Sequence, residues 1–287
     1  MSDKILVTGA TGQIGSLLVE RLAGAGVPAR ALVRSREKAA RIEQLGLEPF
    51  VGDFDAPETL RPALDGVEKV FLLSAPDQRQ VELQGNLIEA ARGAGVRHIV
   101  KLSAIGTGPD SPFSLGRWHY QTEQEIERSG MRYTHLRPNG FMQNALMFAP
   151  TIRGQGAFYG SLGETKVSYV DARDVAAVAL ATLTEDGHEG KAYEVTGPES
   201  LSYREIAGAL SSVLGKEVRY VDVPMEAARQ GMMGAGMPEW LADALVELFE
   251  FYRMGGAAHV TETVREVAGS EPISVSRFAA DYAGAFK

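Results

Sequence analysis

The sequence predicts an α/β protein: a doubly wound parallel sheet followed by a smaller, mainly helical region. Three observations predict it. Ile5, Leu6, Val7 and Thr8 form an apolar, β-rich run of the kind buried on both faces of a sheet. Glycines follow at positions 9, 12 and 15, just where a strand would turn into a helix. Strand-like and helix-like segments then alternate in units of about 20 to 30 residues, the rhythm of parallel pairing through right-handed crossovers.

The elements follow in order. Ile14, Leu17, Leu18 and Leu22 recur at helical spacing and mark the first helix. Residues 28–33 read as a second strand ending at Arg34, 36–45 as a helix, and 47–51 as a third strand delivering Gly52, Asp53 and Phe54. A short helix over 57–64 takes Asp55 as its cap and tolerates Pro57 in its first turn. Residues 69–74 make a fourth strand, 78–94 a long helix ended by Gly95, and 98–103 a fifth strand. A loop rich in glycine, serine and proline spans 104–116, a helix 117–129, and a sixth strand 133–137, stopped by Pro138.

Beyond Gly140 the rhythm changes. Residues 141–149 read as a short apolar helix, 157–170 as loop and short strand, and 171–184 as an alanine-rich helix packing back on the sheet. Strands are expected at 192–195 and 218–223, a helix at 203–214, and helices from 225 onward with breaks at 234–238 and 255–258. The expected division is a Rossmann-type nucleotide-binding domain over 1–150, with 151–190 partly returning to it, and a smaller substrate or lid region over 191–287.

Composition narrows the function. A formal charge of −8 and a pI near 5.3 give no basic footprint for nucleic acid. With no cysteine, disulfides, thiolate nucleophiles and thiolate metal sites are excluded, and the five histidines show no pair at metal-ligand spacing. No apolar run approaches the roughly 20 residues that span a bilayer, and a strand starting by residue 4 leaves no room for a signal peptide, so the expected setting is the cytoplasm, away from membranes.

The pattern G-x-x-G-x-x-G supplies an anion site. Gly9 can take the angles of a tight turn, Gly12 lets a pyrophosphate approach the main chain, and Gly15 lets the helix pack closely on the strand, while the first N–H groups of that helix face the phosphates.

V-T-G-A-T-G-Q-I-G at the start, S-A-P after the fourth strand, K-L-S-A after the fifth, Y-T-H-L-R-P-N-G-F-M-Q-N at the sixth and Y-V-D-A-R-D-V-A further on together resemble the NmrA-like group of atypical short-chain dehydrogenases. The resemblance covers about residues 1–225 and is strongest to type 2 NAD(P)H:quinone oxidoreductases and triphenylmethane dye reductases; the group also holds dinucleotide-sensing regulators. It implies that Gly9, Ala10, Thr11, Gly12, Gln13 and Ile14 hold the pyrophosphate, that Arg34 meets the adenosine ribose, and that Asp53 and Phe54 border the adenine. It also implies that Ser74, Ala75, Pro76, Ser103, Pro138, Asn139, Gly140, Phe141 and Met142 line the nicotinamide end.

In the plain Rossmann pattern a carboxylate about 20 residues past the first glycine accepts the ribose 2′-OH. Residues 29–36 hold no acid here, only Arg30, Arg34 and Arg36. Arg30 and Arg36 read as surface arginines, whereas Arg34, at a strand end, can fork onto a 2′-phosphate. NADP(H) is therefore expected over NAD(H), which stays possible.

The usual Tyr-x-x-x-Lys dyad of short-chain dehydrogenases is missing: none of the nine tyrosines has a lysine four residues on, and Tyr120, for one, meets Gln124. An ordinary ketone needs a proton as hydride arrives; a quinone or cationic dye is electron-poor enough to need little help, so a quinone-like aromatic acceptor is expected. His119, in an H-x-x-T-E setting with Thr122 and Glu123 that resembles the related quinone reductases, is the candidate proton-handling group, with pairing to Glu123 as its bland alternative. Trp118, Tyr120, Phe141, Met142 and Phe148 read as an aromatic wall or as core, and Met225, Met232, Met233, Met237 and Met254 as a lid or as helix packing. Two other readings stay open: a regulator that only senses NADP(H), and a tailoring enzyme acting on a polycyclic aromatic metabolite.

Overall fold

The structure, a computed structural model, describes residues 4–287. Strand β1 (Ile5–Val7) is buried at every position, as an uninterrupted apolar run requires when helices cover both faces of a sheet. The chain continues through α1 (Gln13–Gly24), β2 (Ala29–Val33), α2 (Arg36–Gln44), β3 (Glu48–Val51), α3 (Leu60–Ala63), β4 (Lys69–Leu72) and α4 (Gln80–Ala94), then β5 (His98–Leu102), α5 (Ser114–Arg128) and β6 (Arg132–Pro138). After these come α6 (Ala149–Gln155), β7 (Ala157–Gly160), α7 (Ala172–Thr184), β8 (Lys191–Val195), α8 (Tyr203–Leu214) and β9 (Arg219–Asp222). Helices α9 (Met225–Gly234), α10 (Glu239–Arg253), α11 (Thr263–Ala268), α12 (Val275–Asp281) and α13 (Ala283–Phe286) complete it.

Seven strands form one sheet in the order β3-β2-β1-β4-β5-β6-β8, with every pair parallel. This is the doubly wound Rossmann-type sheet expected from the alternation of elements. One face, carrying Val7, Val33, Phe71 and Val100, packs on α1, α7 and α11; the other, carrying Leu6, Leu32, Val70 and Ile99, packs on α3, α4 and α5. A third core, around Phe158, Tyr169, Ile206, Tyr220, Tyr252 and Phe278, sits in the later part of the chain beside the two-stranded parallel pair β7–β9.

Several local expectations change. β8 lies beyond residue 190 and still pairs with β6 in the main sheet, and α11 packs on α7, so the packing does not divide at 190. An edge strand reached from α7 has the β6 backbone free to pair with, and nothing in the sequence pattern marks that. Residues Met142–Phe148 form a 3₁₀ helix that passes into α6, with Pro150 in the first turn of the latter. Asp55 caps nothing: the helical turn Pro57–Thr59 starts from Ala56, and the Asp55 carboxylate instead receives both guanidinium nitrogens of Arg79, at 2.9 and 3.1 Å. Arg30 is not a surface arginine. Alternation along β2 turns its side chain inward, where it donates to Glu48 and to the carbonyls of Pro62 and Ala63 and stacks over Phe50.

Thr8 ties β1 to β4 at the edge from which the glycine turn departs. It is fully buried, its hydroxyl lies 3.1 Å from the carbonyl of Phe71 and 2.8 Å from that of Leu73, and the same oxygen accepts from the Leu73 N–H at 2.9 Å. Thr8→Val keeps the shape and leaves the Leu73 carbonyl and N–H unpaired, while the Phe71 carbonyl keeps the Thr8 N–H. Denaturant unfolding should show a loss of about 1–3 kcal/mol.

Candidate active site

All the strand ends of a parallel sheet point one way, so the loops that follow β1, β2, β3, β4, β5 and β6 meet at a single carboxyl edge. The first of them is a glycine cradle. Gly9 has φ +61°, a left-handed angle, and its carbonyl accepts from the Gly12 N–H at 2.9 Å. A Cβ on Gly15 would lie 2.1 Å from the Gly9 carbonyl oxygen, so only glycine lets α1 start this close to β1. Gly12 is the N-cap of α1 and no side chain caps that helix; Thr11, Gly12 and Gln13 are exposed, while Ala10 and Ile14 are buried. First-turn N–H groups with no internal partner, over a backbone without side chains, fit a pyrophosphate.

Arg34 follows β2 directly, is exposed, and makes no ion pair with any described residue. Asp53 is exposed at the end of β3, its carboxylate accepting from the Asp55 N–H at 3.1 Å. Phe54 goes the other way: its ring is in the core under α3 and α4, so only its backbone, whose carbonyl accepts from Asn86, is at the loop. Ser74 is half-buried and its hydroxyl accepts from Gln84, while Ala75 and Pro76 are exposed. Ser103 is buried at the end of β5, its N–H donating to the Leu136 carbonyl.

The run from Pro138 to Met142 is fixed rather than open. The Asn139 side chain donates to Ser168 and to the Ala257 carbonyl and accepts from the Gly140 N–H, all at 2.8–2.9 Å, so it shapes the loop and has no free group for a ligand. A Cβ on Gly140 would meet the Tyr169 ring at 3.0 Å and the Tyr252 hydroxyl at 3.2 Å. Met142 is buried and Phe141 half-buried. With Phe148, these two line an apolar cavity of about 30 Å³, room for a water and not for an aromatic ring. The expected aromatic wall therefore splits: Phe148 stacks on Phe158 in the third core, while Trp118 on α5 meets Trp240 on α10 at 6.2 Å between ring centres.

Helix α5 runs over the same face of the sheet as α4 and covers a polar seam. Along β5 the side chains alternate, and Ile99 and Lys101 point to this face; Lys101 is paired in register with His135 on β6. Glu123 is 1 % exposed and takes Arg137 in a two-pronged ion pair, at 3.1 and 2.5 Å. Burial pushes the Glu123 carboxyl up, but Arg137, His135 and the Ser103 hydroxyl together hold it below the ordinary carboxylate range. His119 does not pair with Glu123. Its Nδ1 lies 2.8 Å from Nζ of Lys101 and 3.4 Å from Nε2 of Gln80. Burial, and then the Lys101 charge, hold the His119 ring well below the usual histidine value, so it is neutral at pH 7. Lys101 has no solvent exposure; burial pushes it down to about 7, against the pull of the Glu123 carboxylate and with the repulsion of Arg137. Among the described residues no three histidines or carboxylates cluster as metal ligands, and no helix is long and apolar enough to cross a membrane.

With this geometry in place, comparison with known proteins finds that residues 1–276 match the model of the NmrA-like family. The chain belongs to the NmrA-like family. It is 47% identical over 282 residues to an NAD(P)H azoreductase of Xenophilus azovorans, covering 98% of this chain and 99% of that one. It is 40% identical over 287 residues to a (4-alkanoyl-5-oxo-2,5-dihydrofuran-3-yl)methyl phosphate reductase of Streptomyces griseus, covering 98% and 99%. Among solved structures, an Escherichia coli NADPH-dependent quinone oxidoreductase complexed with NADPH superposes with a TM-score of 0.89 at 30% identity, covering 96% of this chain and 99% of that one. A Citrobacter triphenylmethane reductase complexed with NADP(H) gives 0.87 at 30%, covering 97% and 99%.

Lys101 is the residue of this NmrA-like site that sequence reasoning did not single out. Its signal was present, a lone lysine inside H-I-V-K-L, a run that otherwise reads as buried on both faces. Its lowered value has a consequence for stability. Between about 7 and the ordinary lysine value of 10.5 the unfolded chain binds a proton that the folded chain does not, so stability rises with pH across that window and is flat in this respect below it. Measured by urea unfolding, the wild type should gain on Lys101→Met by up to about 1.4 kcal/mol per pH unit between pH 7 and 10. A constant difference would contradict the burial of an ionisable amine.

Proposed function

We propose that the protein is an NADPH-dependent oxidoreductase whose acceptor is a quinone or a similarly electron-poor aromatic compound. The observation that carries the cofactor part is the bare, uncapped start of α1 beside an unpaired Arg34, with no carboxylate anywhere between Ala29 and Arg36 to repel a 2′-phosphate. On this reading Gly9 to Ile14 hold the pyrophosphate through their backbone, Arg34 takes the 2′-phosphate, and Asp53 with the Phe54 backbone borders the adenine. Ser74, Ala75, Pro76, Ser103 and the fixed run Pro138 to Met142 border the nicotinamide end. When bound, the dihydronicotinamide supplies hydride.

The acceptor part is supported by the absence of Tyr-x-x-x-Lys and by relatives named for azo, quinone and dye reduction, compounds that take hydride readily. His119 is the group on α5 proposed to face the acceptor. A helix that follows a parallel strand begins at the carboxyl edge, and His119 lies in the first half of α5. Its neutral ring offers one N–H donor and no charge.

Two measurements test the reading. Arg34→Ala should weaken NADPH binding by roughly tenfold to a hundredfold, the worth of one charge-assisted contact, while NADH binding changes little; equal loss for both would remove the 2′-phosphate assignment. NADPH consumption should be seen with benzoquinones, naphthoquinones, azo dyes or cationic triphenylmethane dyes. Tight NADPH binding with no turnover on any of them would favour a sensor, and turnover on large polycycles alone would favour a tailoring enzyme.

A further inference from the structure

We propose that Lys101 and His119 form a proton relay that does the work of the missing tyrosine–lysine dyad, with Lys101 as the proton source and His119 as the group that hands the proton to the acceptor. The inference rests on the oxidoreductase reading above and adds to it the origin of the proton.

The geometry is specific. Two nitrogen donors, Nζ of Lys101 at 2.8 Å and Nε2 of Gln80 at 3.4 Å, converge on Nδ1 of His119. As an ammonium Lys101 can only donate, so in that state Nδ1 is the accepting nitrogen and the ring proton resides on Nε2; the neutral amine can also accept from Nδ1–H. Nε2 has no hydrogen-bond partner among the described residues, and the ring as a whole is only half-buried, so the one donor of the neutral imidazole is free for a ligand. Lys101 spends its second contact on the Leu102 carbonyl at 3.0 Å and is itself sealed from solvent. Its proton can leave only through His119.

The charged groups around the pair are few. On α5 they are Glu123 and, one turn on, Glu127; on β6 they are Arg137 and His135. Glu123 is committed to Arg137, and Glu127 to His135, whose ring burial keeps below the usual histidine value. α4 contributes Gln80, which is uncharged. Glu123 is bonded to Arg137, and burial outweighs its remaining pull on Lys101, so the lysine's lowered value near neutrality lets it give up and regain a proton at cellular pH.

The step balances. The acceptor gains the hydride and, on its oxygen or nitrogen, the proton from His119 Nε2. Lys101 passes a proton to Nδ1 in the same movement, so the ring stays neutral and only its tautomer changes, while the Lys101 ammonium becomes an amine. After release of the reduced acceptor, Nε2 takes a proton from solvent and Nδ1 returns one to Lys101. An azo or quinone acceptor uses this relay. A cationic triphenylmethane dye does not, because hydride on its central carbon already gives the neutral product.

That difference supplies the test. In the free protein at pH 6, where Lys101 is an ammonium, ¹⁵N NMR of His119 should show Nδ1 unprotonated and Nε2 protonated, and Lys101→Met should shift both signals; a ring protonated on Nδ1 at that pH, or charged, overturns the relay. In turnover, Lys101→Met should lower the ratio of quinone to cationic-dye kcat/KM by roughly a hundredfold, the low end of what a positioned proton donor contributes. It should also abolish the fall in wild-type quinone kcat/KM as pH rises through about 7. Because both rates come from one preparation, misfolding alone does not move the ratio; should Lys101→Met fail to fold, His119→Gln, on the half-buried helix face, must give the same drop. Wild-type turnover with an unchanged ratio in the variant overturns the relay alone, whereas no wild-type turnover on either acceptor overturns the oxidoreductase reading.

Discussion

Everything at this site depends on the strands being parallel. A parallel sheet needs a helix in each crossover, and those helices cover both faces, so the strands become apolar runs and only their ends reach solvent. Six strand ends then share one edge. The glycine turn after β1, Arg34 after β2, Asp53 after β3, Ser74 after β4, Ser103 after β5 and Pro138 after β6 are spread over more than a hundred residues of sequence, and they meet because the register of the sheet brings them there. Thr8 and Gly15 serve that edge by opposite means. The first satisfies backbone groups where β1 and β4 end, and the second removes a side chain so that α1 can begin against the Gly9 carbonyl.

The seam beneath α5 is the costly part of the fold. Glu123 and Arg137 lose solvation, which a two-pronged geometry offsets; removing either partner would strand the other in a low-dielectric setting. Lys101 has no such carboxylate and resolves the same cost differently, by moving its proton affinity toward neutrality and sharing its hydrogens with Leu102 and His119. Purely for stability, methionine would serve as well at that position. The seam therefore holds two kinds of cation, the half-buried Arg137 locked in charge by an ion pair and the buried Lys101 poised between two states, and only the second can exchange its proton near neutral pH.

The frame was legible because it rests on periodicity and on glycine. The strand runs 28–33, 98–103 and 133–137 and the helix over 203–214 follow from local pattern, and Gly95 ends α4 in the left-handed conformation at φ +81° as its place in the sequence requires. What failed to show were long-range choices between equal local options. Nothing near Arg30 says that it turns inward to Glu48 across the neighbouring strand, nor that Glu123 prefers Arg137, 14 residues away, to His119 on its own helix. Asn139 reads as a ligand-facing turn residue, yet its partners Ser168 and Ala257 lie 29 and 118 positions further on. Lys101 was visible only as an oddity, since its meaning comes from the helix that lands on it.

Helices α9 and α10, in the later part of the chain, are attached by different physics. α10 is fixed to α5: a Glu247 carboxylate accepts from the Ser114 N–H at the start of α5, where the helix dipole favours a negative charge, and Trp240 and Phe251 pack against Trp118 and Phe113. Its neighbour α9 buries no residue, and Arg229 holds it to Glu239 and Asp243 by exposed ion pairs, contacts worth little in water. Met225, Met232 and Met233 on α9 are therefore neither core nor fully solvated. α5 and α10 thus form one anchored pair, while α9, with its exposed ion pairs and flexible methionines, is the more easily displaced helix.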